Sequence, residues 1–483
     1  MTTPLQQLIG GAWLPGSGDL IESRSPSRPG DVVASGLGAA SVDVDKAVSA
    51  ARDARTSWAS TTAHDRGAVL ARAAEIVAAS ALEWGAELAW EEGKTRAEGI
   101  GEVRRAGQIL SFFAHDADRE SGELYNSPRN GERIMVLRRP VGTVAIITPF
   151  NFPIAIPAWK IAPALAYGNT IVWKPAGPVP LLALRLASAL VDAGLPAGVL
   201  NLLIGDAALG AEIAEHSGIE AISFTGSTVV GRQLASRAAL RGIPVQAEMG
   251  GKNAAIVLED ADVERAVNQI MAGAFNSAGQ KCTATSRLVV AEPIADELIA
   301  RLIEAADQLV IGDPLGDGVQ LGPVISAAAE STILEGIAEA IDEGAVSLGV
   351  SAFTLNVDLR EGHFVAPAIL DCTGTQATLW NRELFGPVLA VKRVHSAGEA
   401  FAAANEGDLG LSAAVFTGSL SHAMEAMDQL DVGMLHLNSE TAGADPHVPF
   451  GGSKGSSLGP KEQGRAAREF FSNTTTVYLR AGA

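Results

Sequence analysis

Apolar residues at Val44, Ala47, Val48, Ala51 and Trp58 recur at helical spacing through VDVDKAVSAARDARTSW. Alanine-rich stretches of the same period continue to about Asp116. The pattern then changes. ERIMVLRRPVGTVAIITPF, from Glu132 to Phe150, carries β-branched runs that read as strands. Beyond it, strands and helices alternate. GTVAIITPF, TIVWKPA, VLNLLIG and AISFTGS read as strands, and AIPAWKIAPALAYG, LLALRLASALVDAG, GAEIAEHSG and TVVGRQLASRAALR as helices. Such alternation predicts a parallel sheet with crossover helices, and ligands at the carboxyl ends of its strands. A second α/β pattern begins near Gly250 and runs to about Phe450. TTTVYLR near the C-terminus reads as a strand without a sequential partner. It can pair with ERIMVLRR or extend the sheet of a neighbouring subunit.

A chain of 483 residues predicts two or three domains. With 47% hydrophobic and 19% charged residues it can bury large cores. The formal charge of −19 argues against a nucleic-acid partner, because an acidic surface repels phosphate backbones. Two cysteines cannot build a disulfide framework, and no metal-ligand spacing is present, so no metal is expected. MTTPLQQLIGGAW lacks a basic start followed by an apolar core, and no run reaches the length of a membrane span. These features predict a cytoplasmic protein with no membrane contact.

Candidate chemistry falls at strand ends. Asn151, in TPFNFP, reads as a turn residue or as an amide donor to an oxyanion. Lys174, in WKPAG, reads as a solvated lysine or as a ligand of a nucleotide ribose or phosphate. Gly226 and Ser227 follow a strand and open a helix, whose backbone N–H groups can hold an anion. Glu248 sits in an apolar strand before two glycines. It is either a satisfied structural acid or a base of raised pKa. Cys282, in AFNSAGQKCTATSR, lies in a polar loop beside Lys281. That cation is expected to favour the thiolate.

TPFNFP, WKPA, FTGST, EMGGK, GQKC, ELFGPV and PFGGSK stand in this order along the chain, with Glu248 and Cys282 34 residues apart. Together they resemble the aldehyde dehydrogenase superfamily over essentially the whole chain. The resemblance implies an α/β fold with three parts. These are a Rossmann-type cofactor domain at 1–122 and 141–249, an α/β catalytic domain at 250–452, and a β-arm for oligomerisation from 123–140 with the C-terminal segment 453–483. An exposed apolar face on that arm implies a homodimer or homotetramer.

The resemblance also implies roles. Cys282 would be the nucleophile, Glu248 the base that activates water, and the Asn151 amide with the Cys282 N–H the oxyanion hole. Lys174 would hold the adenosine ribose, and Gly226 with Ser227 would face the pyrophosphate. Pro149, Phe150, Ala176 and Gly177 belong to the implied cofactor site, with Gly210, Phe224, Val230 and Met249. Glu383 and Phe385 would hold the nicotinamide ribose and ring. Gly177 stands where NAD-preferring relatives commonly carry an acid, so NADP is expected to be favoured, with NAD use through Lys174 as the alternative. Phe150 replaces a tryptophan of many relatives.

Phe152, Ile156, Trp159, Thr283 and the loop from Ser439 to Phe450 would line the substrate tunnel. GAFNSAGQKCTATSR and LNSETAGADPHVPFGGSKGSS look most like the branch that oxidises 2,5-dioxopentanoate to 2-oxoglutarate. Lys281 or His447 would attract its carboxylate. Succinate semialdehyde and an aromatic aldehyde such as vanillin are alternative substrates. A non-catalytic binding or structural relative is the alternative of another class.

Overall fold

The computed structural model describes residues 2–116, 118–119, 122–350, 355–480 and 482. The ends of the expected domain spans at 1 and 483 lie outside the described residues. The helical stripe found near the N-terminus is the buried face of helix Ser41–Ser60, with Val44, Ala47, Val48, Ala51 and Trp58 inside. Helices Ala63–Ala79, Ala81–Glu92 and Arg96–Asp116 continue it.

The alternating region folds into an eight-stranded sheet. Its parallel centre runs Val245–Glu248, Ala221–Thr225, Thr143–Ile147, Thr170–Lys174, Leu200–Leu202. Crossover helices cover both faces, so Ala221–Thr225 and Thr170–Lys174 are buried throughout and carry apolar residues at consecutive positions. Strand order reverses between Thr143–Ile147 and Ala221–Thr225. TPFNFP and FTGS leave the sheet on either side of that reversal, where a crevice opens. Gln7–Ile9 and Ala12–Leu14 extend one edge as antiparallel strands that the sequence pattern did not reveal.

The second region forms a seven-stranded sheet in the order Val346–Val350, Ala368–Asp371, Val388–Val394, Thr285–Ala291, Asn253–Val257, Ser412–Phe416, Met434–Leu437. All neighbours are parallel except the first pair. The third sheet is antiparallel: Ser472–Arg480 pairs with Glu132–Pro140 along nine residues, and Gly122–Asn126 with the other edge. The C-terminal strand thus finds ERIMVLRR within its own chain.

Ser457–Leu458, in the C-terminal segment, pairs antiparallel with Val245–Glu248 at the edge of the first sheet. Among the described residues no helix is long and apolar enough to cross a membrane, and no group of His, Cys, Asp and Glu stands where it could hold a metal ion.

Candidate active site

A cavity of about 1200 Å³ runs from the carboxyl ends of the first sheet into the cleft facing the second. It brings together Pro149, Phe150, Asn151 and Ile156 with Lys174, Ala176 and Gly177. Gly210, Phe224, Gly226, Ser227, Val230 and Met249 line it farther along, and Cys282, Glu383 and Phe385 close it from the other side.

At one end, Ser227 caps helix Thr228–Arg241 by accepting from Val230 N. The N–H groups of Thr228 and Val229 in that first turn offer a backbone-lined seat for a diphosphate, and glycine is needed at 226 because a Cβ would stand 2.5 Å from the Phe224 ring. Apolar Val230 and Leu234 flank it. Lys174 lies deeper, 6% exposed, its Nζ donating to Pro175 O at 3.1 Å. Burial brings its pKa down to about 8, against the pull of Asp206. Asp206, with Glu22 and Arg24, lines the cavity as well. The sequence reading missed these three, because they come from other turns and a distant strand. Gly177 carries no carboxylate, but Asp206 puts one near Lys174.

At the other end, the paired glycines of EMGGK are required by close approach. A Cβ at Gly250 would stand 2.1 Å from Glu383 Oε2, and one at Gly251 2.3 Å from Cys282 O. Gly251 N donates to Glu383 Oε1 at 3.0 Å. Burial raises the Glu383 pKa to about 7. Phe385 is held in the left-handed region at φ 56°, an uncommon conformation for a side chain of its size, and meets Phe150 edge-to-face at 5.8 Å. This seat suits a ribose at Glu383 and a planar ring beside Phe385. The whole cavity therefore fits a nicotinamide dinucleotide.

Asn151 is buried, and its Nδ2 donates to Gln280 O at 2.8 Å, which ties TPFNFP to the loop carrying Cys282. Asn253, unremarked in the sequence, donates to Cys282 O at 2.8 Å and to Ala284 O at 2.9 Å. It thereby fixes the peptide around the thiol. Burial first, then Glu383 and Glu248, push the Cys282 thiol up to about 12. The charge of Lys281 and the Cys282 thiolate attract each other, but burial outweighs that attraction at the thiol. Lys281 is 8% exposed and its Nζ turns away to donate to Ala272 O at 3.0 Å. Burial lowers its pKa. For the same reason it does not offer a free cation to a substrate carboxylate.

Glu248 is buried at 3% exposure. Ser457 Oγ donates to its Oε2 at 2.5 Å, and Oε1 has no partner among the described residues. Burial raises its pKa well above the carboxylate range, and Glu462 adds to the rise. Glu462 is itself bonded to Lys160 in a fully buried pair. The sequence reading found neither Ser457, Glu462 nor Lys160, which lie far from Glu248 along the chain.

The remaining expected tunnel residues are not among those that line this cavity. Trp159 and Phe450 pack their rings 5.2 Å apart, and Phe152 lies under Lys94 Nζ, 4.2 Å from the ring centroid. Thr283 is buried, with its carbonyl accepting from Thr441 Oγ1 at 2.7 Å. His447 is exposed on the loop before Phe450.

Residues 13–477 match the aldehyde dehydrogenase family. The chain is 39% identical to the alpha-ketoglutaric semialdehyde dehydrogenase of Bacillus subtilis (strain 168), covering 98% of this chain and 97% of that one. It is 37% identical to the alpha-ketoglutarate semialdehyde dehydrogenase of Haloferax volcanii, covering 99% of each. Among solved structures, the NAD-dependent aldehyde dehydrogenase of Sinorhizobium meliloti superposes with a TM-score of 0.95 at 32% identity, over 100% of this chain and 96% of that one.

Proposed function

The chain belongs to the aldehyde dehydrogenase family and oxidises an aldehyde to the acid with NAD or NADP; from that premise we propose that its substrate is 2,5-dioxopentanoate and its product 2-oxoglutarate. The near-full-length likeness to two enzymes named for this semialdehyde carries the substrate reading. Succinate semialdehyde and vanillin are the competing substrates.

The proposed mechanism assigns roles by geometry. Cys282 gives up its proton to water and its sulfur adds to the aldehyde carbon, forming a thiohemiacetal. The developing oxyanion is held by the Asn151 amide and the Cys282 N–H. When bound, the oxidised cofactor supplies a hydride acceptor and a positive ring charge beside Cys282. Glu383 and Phe385 would orient that ring, and Lys174, Gly226 and Ser227 would hold the other half of the dinucleotide. With that acceptor bound, loss of hydride to it from the thiohemiacetal carbon would leave a thioester on Cys282. Glu248 then takes a proton from water, the hydroxide adds to the thioester carbonyl, and the thiolate departs to free the acid.

NADP is favoured in this reading because position 177 has no carboxylate to repel a 2′-phosphate, although Asp206 tempers the bias. In place of Lys281 we propose Arg105 as the cation that meets the substrate carboxylate. Its Nη1 meets Asp445 Oδ1 at 3.2 Å, on the loop before Phe450, and it can exchange that partner for a substrate carboxylate.

The eight-stranded sheet, the seven-stranded sheet and the antiparallel sheet of the arm support division into a cofactor domain at 1–122 and 141–249, a catalytic domain at 250–452 and an arm. Leu124, Tyr125, Tyr478 and Leu479 are exposed on the arm, and Met434–Leu437 is an open sheet edge. Both features support a homodimer or homotetramer in which arms join subunits. Light scattering checks this directly. A monomer would remove the assembly reading.

The deciding test is a matrix of initial rates. It crosses 2,5-dioxopentanoate, succinate semialdehyde, an aliphatic aldehyde and vanillin with NAD and NADP. Highest kcat/KM for 2,5-dioxopentanoate supports the reading, and a win for vanillin or the aliphatic aldehyde removes it.

A further inference from the structure

Helix Arg96–Asp116, with Lys94 just before it, bonds the two segments that carry the halves of the proposed oxyanion hole. Glu98 and Glu102 are four residues apart, so they share one face of the helix. Glu102 holds the Asn151 side. Its Oε1 accepts from Ile154 N at 3.1 Å and Ala155 N at 3.2 Å, and its Oε2 accepts from Lys94 Nζ at 2.7 Å. Lys94 Nζ then donates to the backbone carbonyl of Asn151, also at 2.7 Å. Carbonyl and amides of the turn Asn151–Ala155 are thus clamped from one side by one buried ion pair. Lys94 is 3% exposed, and Glu92 Oε2 lies 4.0 Å from its Nζ.

Glu98 holds the nucleophile side. Its Oε1 accepts from Ser277 N at 2.7 Å and Ser277 Oγ at 3.1 Å, and its Oε2 accepts from Thr95 N at 2.9 Å. Ser277 and Ala278 are left-handed, at φ 56° and 51°, and Gly279 follows at 69°. Non-glycine residues enter that region at a cost, so the approach to Cys282 persists only if outside contacts fix it. Glu98 is one such contact.

We propose that Lys94, Glu102 and Glu98 are positioning residues that set the Asn151 amide against the Cys282 N–H, so that one helix face fixes the spacing of the oxyanion hole. The inference rests on the reading of Asn151 and Cys282 as that hole. A misplaced donor weakens transition-state stabilisation without altering how the cofactor or the ground-state aldehyde binds.

The test is single-turnover formation of reduced cofactor in a double-mutant cycle, Lys94→Met with Asn151→Ala, in the full-length protein. Lys94→Met alone should slow this step about 10- to 100-fold, with cofactor affinity unchanged. In the Asn151→Ala background it should slow the step no further, because Lys94 acts through Asn151. Multiplying losses, or a parent-like rate in folded Lys94→Met, would overturn the positioning role. An Asn151→Ala enzyme that reacts at the parent rate would overturn the oxyanion reading itself, and the inference with it.

Removing Lys94 leaves buried carboxylates, so the single variant can fail to fold. The pair Lys94→Met with Glu102→Gln removes both charges and keeps an acceptor for Ile154 and Ala155. It is run through the same cycle with the same expectations. Glu98→Gln should slow the step less than Glu98→Ala, since the amide oxygen still accepts from Ser277; equal and parent-like rates for both would overturn the role of Glu98.

Discussion

Ser457 stands opposite Glu248 in antiparallel register and donates its hydroxyl to Oε2 at 2.5 Å. A strand more than two hundred residues away thus presses against the carboxyl that the mechanism uses as base. That bond favours the charged carboxylate and lowers its pKa, against burial and Glu462, which raise it. Ser457→Ala should therefore shift the lower limb of the kcat–pH profile to higher pH wherever deacylation limits turnover. A shift to lower pH, or none, would contradict the role of the bond. Glu248→Gln should leave a burst of reduced cofactor followed by slow turnover, with kcat down by about 10²-fold or more. Stopped-flow traces without a burst would place the loss before the thioester and remove Glu248 as the hydrolytic base.

Cys282 carries a thiol pushed up to about 12, with burial first among the causes. In the resting enzyme it should alkylate slowly near neutral pH. The rate should rise about tenfold per pH unit, as the thiolate fraction does. Fast, pH-independent alkylation would show that the thiolate already exists without a cofactor. Cys282→Ala should abolish oxidation while cofactor fluorescence titration stays unchanged.

What the sequence made legible was local. Alternating apolar runs gave the two sheets, because crossover connections leave a periodic trace. TPFNFP, WKPA, FTGS and EMGGK marked their places, because strand ends face the crevice and the glycines answer close approach there. The partners that tune those groups were not legible. Ser457, Glu462 and Lys160 reach Glu248 only through folding, and Lys94 reaches Asn151 from another helix junction. Lys281 shows the limit of adjacency. It neighbours Cys282 in sequence, yet its side chain leaves toward Ala272, and no local pattern encodes that direction.

Arg105 pairs with Asp445 on the loop before Phe450, and both side chains are exposed. An exposed pair gains little from its own attraction, so exchange for a substrate carboxylate costs little. Arg105→Ala should raise KM for 2,5-dioxopentanoate about tenfold and leave KM for an uncharged aliphatic aldehyde unchanged. Equal rises for both substrates would assign Arg105 to loop structure instead.

Cofactor choice turns on Lys174 and Gly177. A Cβ at Gly177 would meet Gly205 O at 3.4 Å and nothing closer, so a longer side chain can enter there without a clash at its first carbon. Gly177→Glu should cut kcat/KM for NADP about tenfold or more, and that for NAD much less, through repulsion of the 2′-phosphate. The charge of Lys174 supplies the complementary control. Its pKa is brought down to about 8, so it is cationic at pH 7 and largely neutral at pH 9.5. A neutral amine still hydrogen-bonds a ribose but no longer attracts a dianion. Affinity for NADP should therefore fall as pH rises through 8, while affinity for NAD changes little, and Lys174→Met should remove the difference in pH dependence. Titration calorimetry with both cofactors at pH 7 and pH 9.5 reads this directly. Parallel pH dependence for NAD and NADP in the parent enzyme would mean that Lys174 does not meet the 2′-phosphate, and the preference would then have to come from Arg24 across the same cavity.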